Sequence, residues 1–375
     1  MEDEKKAVFE VDMDQRRGFE HLPGGSSKHI DHPSHAQPGI HVYPDKLYVV
    51  TVLENPLRWR SRYRNYWIFE NMCKKAGVEL YVAEIAFGGR DFEIAEEGNP
   101  KHLRLRSHDE LLHKENALNL LIQRLPEGAK KIGTLDADIQ FARSDWAQEA
   151  LHLLDHYKVL QGFSHSMDLG PQNQPVQLHE GFVMHELAYP PHNPNKLSKD
   201  HRFNRPRPNT DLGYYGGKGK YILWHPGLVW FWRKTAINQL GGLMDWVLGG
   251  SADHYMALAL FNKLSRTNLN LREFSQGYQR SCFEWQARAE RHIRRNIGVL
   301  PGLVMHSWHG HKEKRQYLSR AQFLAKTGFD PAHHLKRDWQ GLWQLQDDGS
   351  LNYIMIRDGL RHFARLRDED AMDFE

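Results

Sequence analysis

The stretch Lys131–Ala142, KIGTLDADIQFA, decides how this chain is read. Ile132 and Leu135 read as a short buried strand, and Asp136-Ala137-Asp138 falls where that strand should end. Two carboxylates one residue apart at a strand terminus can both approach one divalent cation, one directly and one through a water. Hard oxygen donors of this kind suit Mg²⁺ or Mn²⁺, and the ion can in turn grip a diphosphate. Standing alone, an Asp-x-Asp reads equally well as a solvated turn, so its meaning depends on what the flanking segments supply.

Those segments alternate strand and helix. Lys46–Leu53, KLYVVTVL, is a continuous apolar run of β-branched character, as expected of a strand buried on both faces of a parallel sheet. It stops at Glu54-Asn55-Pro56 and is followed by the arginine-rich Arg58-Trp59-Arg60-Ser61-Arg62-Tyr63-Arg64. Tyr66–Lys75 has helical spacing, and Val78–Phe87 reads as a second strand. Ser107–Leu125 is expected to be a helix capped by Ser107, Asp145–His156 another helix, and Lys158–Phe163 another strand. This order predicts an α/β fold with a central sheet flanked by helices, in which ligands sit at the carboxyl ends of the strands. The Asp-x-Asp lies in that place.

From Ser164 to Lys220 the pattern dissolves into His, Pro, Asn and Gly, which predicts a loop-rich functional insertion. Tyr221–Trp232 restores order, a helix follows at Thr235–Leu240, and Ser251-Ala252-Asp253-His254 opens a further helix to about Leu264. Gln286–Asn296 reads as a basic helical segment with Arg288, Arg291 and Arg295 on one side. Leu300–Val304 reads as a last strand, directly before Met305-His306-Ser307-Trp308-His309-Gly310-His311-Lys312. Residues 313–375 read as a helical C-terminal extension, and residues 1–44 as a flexible arm. The arm's histidines (His21, His29, His32, His35, His41) have no spacing that closes a metal site.

Composition limits the alternatives. With 375 residues, 11% of them aromatic and eleven of them Trp, the chain can build a sizeable core and is not disordered overall. A net charge of +3 and a pI near 8.6 are compatible with a phosphate-bearing ligand without indicating nucleic acid. Cys73 and Cys282 alone support neither a disulfide framework nor a cysteine zinc site. The start MEDEKKAVFEVDMDQRR has no apolar signal core, and no apolar run reaches a membrane span, so a soluble cytoplasmic protein is expected.

Taken in chain order, four motifs resemble those of GT-A-fold glycosyltransferases, nearest the β-1,4-galactosyltransferase type with a more general likeness to family 2. The likeness spans roughly residues 46–312. Pro56-Leu57-Arg58-Trp59-Arg60 resembles that family's nucleotide-holding Pro-Phe-Arg-x-Arg turn, and arginines at a sheet edge can pair with phosphate in bidentate fashion. Glu115-Asn116-Ala117-Leu118-Asn119 is similar to the helix before the Asp-x-Asp strand, which implies a donor contact for Asn116. By the same likeness Asp138 is the direct metal ligand, and Asp136 lies near the ribose or a metal-bound water. His306 completes the metal site, with His309 as a substitute. Trp246, Gly249 and Gly250 resemble the acceptor-facing aromatic and glycine pair. The family's acidic cluster becomes Ser251-Ala252-Asp253 here, with Ala252 at the position of the family's catalytic aspartate. Asp253 is therefore assigned as general base, with Asp245 in reserve.

The resemblance implies transfer of a sugar from a nucleoside diphosphate sugar, of the UDP type, to a hydroxyl acceptor with inversion and a divalent metal. Lys312 or Arg315 would close over the phosphates. A glycan, a lipid-linked sugar, a protein or a modified DNA base could be the acceptor. The last draws on Arg202, Arg205, Arg207, Lys218, Lys220 and the Arg288–Arg295 face. The Ala252 departure points instead to a non-catalytic sugar- or nucleotide-binding protein on the same scaffold.

Overall fold

A computed structural model describes residues 45–188, 224–267, 269 and 271–372. The expectations for the N-terminal arm and for the basic stretch 202–220 lie outside these residues. The described residues belong to one compact unit, Asp45–Glu375.

The apolar run after Lys46 becomes β1 (Leu47–Glu54), followed by α1 (Arg60–Lys75) and β2 (Glu79–Phe87). His102–Ser107 forms β3, so Ser107, expected to cap a helix over Ser107–Leu125, instead ends a strand. The reason is visible in HLRLRS, whose period of two buries Leu103, Leu105 and Ser107 and turns the arginines outward. The helix itself, α2, is Lys114–Arg124. After it come β4 (Lys131–Leu135), β5 (Ile139–Phe141), α3 (Trp146–Leu153) and β6 (Val159–Gln161). The region expected to be loop contains β7 (His165–Leu169), β8 (Pro175–Glu180) and α4 (Phe182–Ala188). Then follow β9 (Val229–Arg233), α5 (Lys234–Leu240), α6 (Ala252–Leu260), α7 (Gln276–His292), β10 (Ile297–Val299) and β11 (Leu303–His306). The C-terminal region is not purely helical. Between α8 (Tyr317–Lys326) with its short successor α9 (Pro331–His334) and α10 (Leu351–Arg365) lies a two-stranded sheet of β12 (Leu335–Arg337) and β13 (Trp343–Leu345).

Seven strands form the main sheet in the order β10-β6-β9-β4-β1-β2-β3, and only β9 runs against its neighbours. The expected mixed central sheet flanked by helices is thus what the structure shows. Its middle is aromatic. Trp230, Phe231 and Trp232 of β9 are buried, and the Trp232 indole donates to Thr134 Oγ1 at 3.0 Å. Phe231 fits because Gly133 and Gly162 flank it, and a β-carbon on Gly162 would fall 2.2 Å from Val229 Cγ1 and 2.8 Å from the Phe231 ring.

A four-stranded sheet, β5-β11-β7-β8, stands at the carboxyl edge of this core. It pairs His306 with Ile139 on one side and with Asp168 on the other. Chain segments far apart in sequence therefore meet directly after the Asp-x-Asp. Among the described residues, no helix is long and apolar enough to cross a membrane.

Filling the β9 contact tests this packing. Gly162→Ala should lower unfolding stability by about 1–3 kcal/mol through overpacking against Val229 and Phe231. Urea denaturation reads the loss, and an unchanged midpoint would contradict the close approach.

Candidate active site and metal centre

Because β1 and β4 run parallel and β9 antiparallel, the ends of β1 and β4 and the residues before β9 open on the same edge. They border a cavity of about 220 Å³ that is lined by Glu54, Lys114, Asp136, Asp138, His225 and Asp253 among others. Gly250, His306 and His309 also face it.

Asp138, His306 and His309 form its polar centre, with one ligating atom from each lying within 4.8 Å of the others. His306 Nε2 and His309 Nε2 are 3.7 and 3.6 Å from Asp138 Oδ2, and 3.0 Å from each other. Asp138 Oδ1 is buried with no hydrogen-bond partner in the described structure. An orphaned carboxylate oxygen beside two converging imidazole nitrogens fits a metal ion. Two imidazoles with one carboxylate are a donor set able to hold a divalent cation.

The three groups are electrostatically coupled, and a bound cation would take the place of the His306 proton. Burial raises the Asp138 carboxyl, but His306, His309 and Arg62 outweigh it and hold the group far below the usual carboxylate range. Burial lowers His306, yet Asp138 and Asp168 carry it up to about 9. His309 is pushed well below an ordinary histidine by burial and by Arg315, which leaves a neutral imidazole with a lone pair. Behind His306, Nδ1 bonds Asp168 Oδ1 at 2.8 Å. Asp168 is buried, bonded through Oδ2 to His179 Nε2 at 2.6 Å, and ion-paired with Lys312. This carboxylate–histidine pair fixes the ring orientation, as outer partners of metal-bound histidines do. Nothing in the local sequence His165-Ser-Met-Asp-Leu169 marks Asp168; only the β7–β11 register reveals it.

Asp136 takes a different environment. Burial raises it, Lys114 opposes, and the ion pair between Lys114 and Asp136 anchors it to the start of α2. Ala252 is buried in the core while Asp253 lines the cavity, so the alanine faces the packing and the acid faces the site. Gly227 makes room for it, since a β-carbon there would lie 2.1 Å from Asp253 Oδ2. Asp253 is raised above an ordinary aspartate, chiefly by burial and further by Asp136, with Lys114 opposing.

Other residues singled out from the sequence lie elsewhere. Arg58 is exposed and paired with Glu93, the Pro56 carbonyl accepts from Arg90, and the exposed Arg60 offers its backbone N–H to Asp370 at 2.9 Å. None of the three borders the cavity; Arg62, two residues on, does. Asn116 faces the opposite way, with Oδ1 accepting from Trp343 N at 2.9 Å and Nδ2 donating to Gly341 O at 3.2 Å. Its helix presents Lys114, Glu115 and Leu118 instead. Asp245 is bound to Arg337 at 2.8 Å and Asn119 at 3.1 Å, away from the cavity. Trp246 packs on the core, and Gly249 meets Leu324, where a β-carbon would approach to 2.6 Å. Lys312 supports Asp168 and does not line the cavity. Arg315, Arg320 and Arg367 do line it.

No family model and no curated protein matches the sequence. Among solved structures, the chain is similar to the catalytic domain of Drosophila β1,4-galactosyltransferase 7 with xylobiose, at 13% identity and a TM-score of 0.28 over 58% of this chain. A mutant of that enzyme, in complex with manganese, UDP-Gal and xylobiose, matches with the same figures. The chain spans 62% of both of those structures. A Desulfovibrio desulfuricans protein named as a nucleotide-diphospho-sugar transferase is similar at 10% identity and a TM-score of 0.31, over 88% of this chain and 100% of that one. At these values the likenesses say nothing of this chain's own substrate.

Proposed function

We propose that this chain is a metal-dependent glycosyltransferase moving a sugar from a nucleoside diphosphate sugar to a hydroxyl acceptor with inversion. One observation carries the reading: the Asp138–His306–His309 triad and the carboxylate of Asp253 open on the same cavity. A bound cation would supply Lewis-acid neutralisation of the charge that develops on the departing diphosphate.

The chain's own residues supply the rest. Asp253 accepts the proton of the acceptor hydroxyl as its oxygen bonds the anomeric carbon and the bond from that carbon to the phosphate oxygen breaks. A carboxylate held above its ordinary pKa is a better proton acceptor near neutral pH than an exposed aspartate. Lys114 keeps Asp136 fixed beside this group. Asp168 keeps His306 aimed at Asp138.

Asp253 lining the cavity favours catalysis over a purely binding role. A DNA-base acceptor gains no support from the basic side of α7 and the turn after it. Arg288 donates to Leu240 O at 2.7 Å and Arg295 to Phe261 O at 3.5 Å, so both serve the fold.

Two experiments test the reading. Mn²⁺ binding followed by electron paramagnetic resonance should be lost in Asp138→Ala and weakened about 10–100-fold in Asp168→Asn. Wild-type metal affinity in Asp138→Ala would remove the metal from the proposal. For the base, Asp253→Asn should abolish transfer yet keep donor binding. In the wild type the acid limb of kcat/KM should lie at higher pH than an ordinary aspartate gives, because a raised pKa means that the base form is lost earlier on acidification. Transfer that survives the asparagine, or a limb at the ordinary aspartate position, would assign the proton to another group.

A further inference from the structure

We propose that the end of the chain, residues 367–371, is a clasp that completes an arginine wall for binding the diphosphate of the donor; this rests on the donor reading above. The clasp is tied on both sides. Asp370 Oδ2 and Oδ1 accept the backbone N–H groups of Arg60 at 2.9 Å and Ser61 at 2.8 Å. These donors open α1, where Trp59 supplies no side-chain cap. On the other side, Trp308 Nε1 donates to Ala371 O at 2.7 Å and Lys314 pairs with Asp368 at 2.6 Å. Gly310 allows the two segments to touch, since a β-carbon there would sit 2.7 Å from the carbonyl oxygens of Arg367 and Asp368.

The purpose of so firm an attachment is visible in Glu369. Its side chain is fully buried; it accepts from Arg62 Nε at 2.5 Å and Arg62 Nη2 at 2.7 Å, and it is ion-paired with Arg367 at 2.6 Å. Glu369 does not border the cavity, but both arginines that it orients do, together with Arg315 and Arg320. Glu369 thus orients two of the four guanidinium groups in the wall, and Glu54 and Asp138 also act on Arg62. The acids that share the cavity come from other elements: Glu54 from β1, Glu115 from α2, Asp136 and Asp138 after β4, and Asp253 from α6. The wall reaches the metal triad, since Arg62 acts on Asp138 and Arg315 on His309.

Guanidinium forks match the geometry of phosphate oxygens, and several partly desolvated forks on one wall call for a polyanion. A diphosphate lying between this wall and Asp138, His306 and His309 meets both requirements. Arg367 is then a donor-binding residue, and Asp370 is a positioning residue that acts through the clasp.

The test uses the full chain with inorganic pyrophosphate, in EDTA, by isothermal titration calorimetry. Wild type should bind saturably and more weakly as salt rises. Arg367→Gln should weaken binding at least tenfold while Mn²⁺ affinity and the circular dichroism melt stay in place. Asp370→Ala, outside the cavity, should weaken it several-fold. In the double variant the two losses should not multiply, because they act on one contact. Undiminished binding in Arg367→Gln, or losses that multiply, would overturn the clasp. Should Arg367→Gln not fold, Asp370→Ala decides: wild-type affinity in it overturns the proposal. Sugar transfer without any pyrophosphate binding would overturn the wall alone. Pyrophosphate binding that depends on Arg367, with no nucleotide sugar turned over, would uphold the wall and remove the transferase reading.

Discussion

Two carboxylates that leave the end of a fully buried strand must be compensated by groups brought from elsewhere in the chain. Much of the described architecture answers that need. Asp136 is met by Lys114 from α2, and Asp138 by His306 at the end of β11 and His309 just after it. His306 then requires Asp168 from β7, and Asp168 is held by His179 from β8 and by Lys312. From Asp138 through His306 and Asp168 to Lys312, each group bears directly on the next. Removing one leaves an opposite charge buried and unpaired, at a cost of about 3–5 kcal/mol in such settings. Asp138 Oδ1 has no hydrogen-bond partner among the described residues, while Oδ2 faces the two imidazoles.

The second sheet is what makes this path possible. The main sheet presents strand ends, and strand ends alone would leave Asp138 facing solvent. By pairing β11 between β5 and β7, the smaller sheet carries His306 to the residue beside the Asp-x-Asp turn. The turn is secured by Ser307 N donating to Asp138 O at 2.8 Å. Backbone pairing thus sets the distance between the carboxylate and the imidazoles before any ligand takes part, which is the preorganisation that catalysis by positioning needs.

How much of this was legible in the sequence depends on whether a residue's role is local. Strands buried on both faces, the Asp-x-Asp at a strand end and the histidines at the end of β11 are local patterns, and they could be read. Asp253 could be read as well, because a lone acid after two glycines stands out. Its neighbour Ala252 looked like a defect in register, whereas burial shows that the helix simply turns that position into the core. Asn116 and Asp245 were misleading for the opposite reason: they are polar and well placed in order, but their partners, Trp343, Gly341 and Arg337, arrive from the C-terminal region. Of the arginines in and after the expected turn, Arg58 precedes α1 and Arg60 opens it, both off the cavity, while the helical phase turns Arg62 inward. Asp168, Arg320 and Arg367 carried no local signal at all. A single charged residue becomes interpretable only when long-range pairing shows what it faces.

The distance in sequence between Arg62 and Glu369, 307 residues, sets one further constraint. Closing so long a loop carries an entropic cost that rises only slowly with length, so a modest set of contacts can hold it. Here those contacts are concentrated at the site: the cap on α1, the buried Glu369 and the indole of Trp308. The segment that docks against α1 is the same one that brings Arg367 to the cavity. Stability at the chain end and the charge of the cavity are therefore one property. A substitution that frees this segment would withdraw Arg367 from the cavity, and with it the Glu369 carboxylate that holds Arg62, without touching any residue of the main sheet. The helix cap, which looks like an ordinary structural device, also holds the segment that carries Arg367 to the cavity.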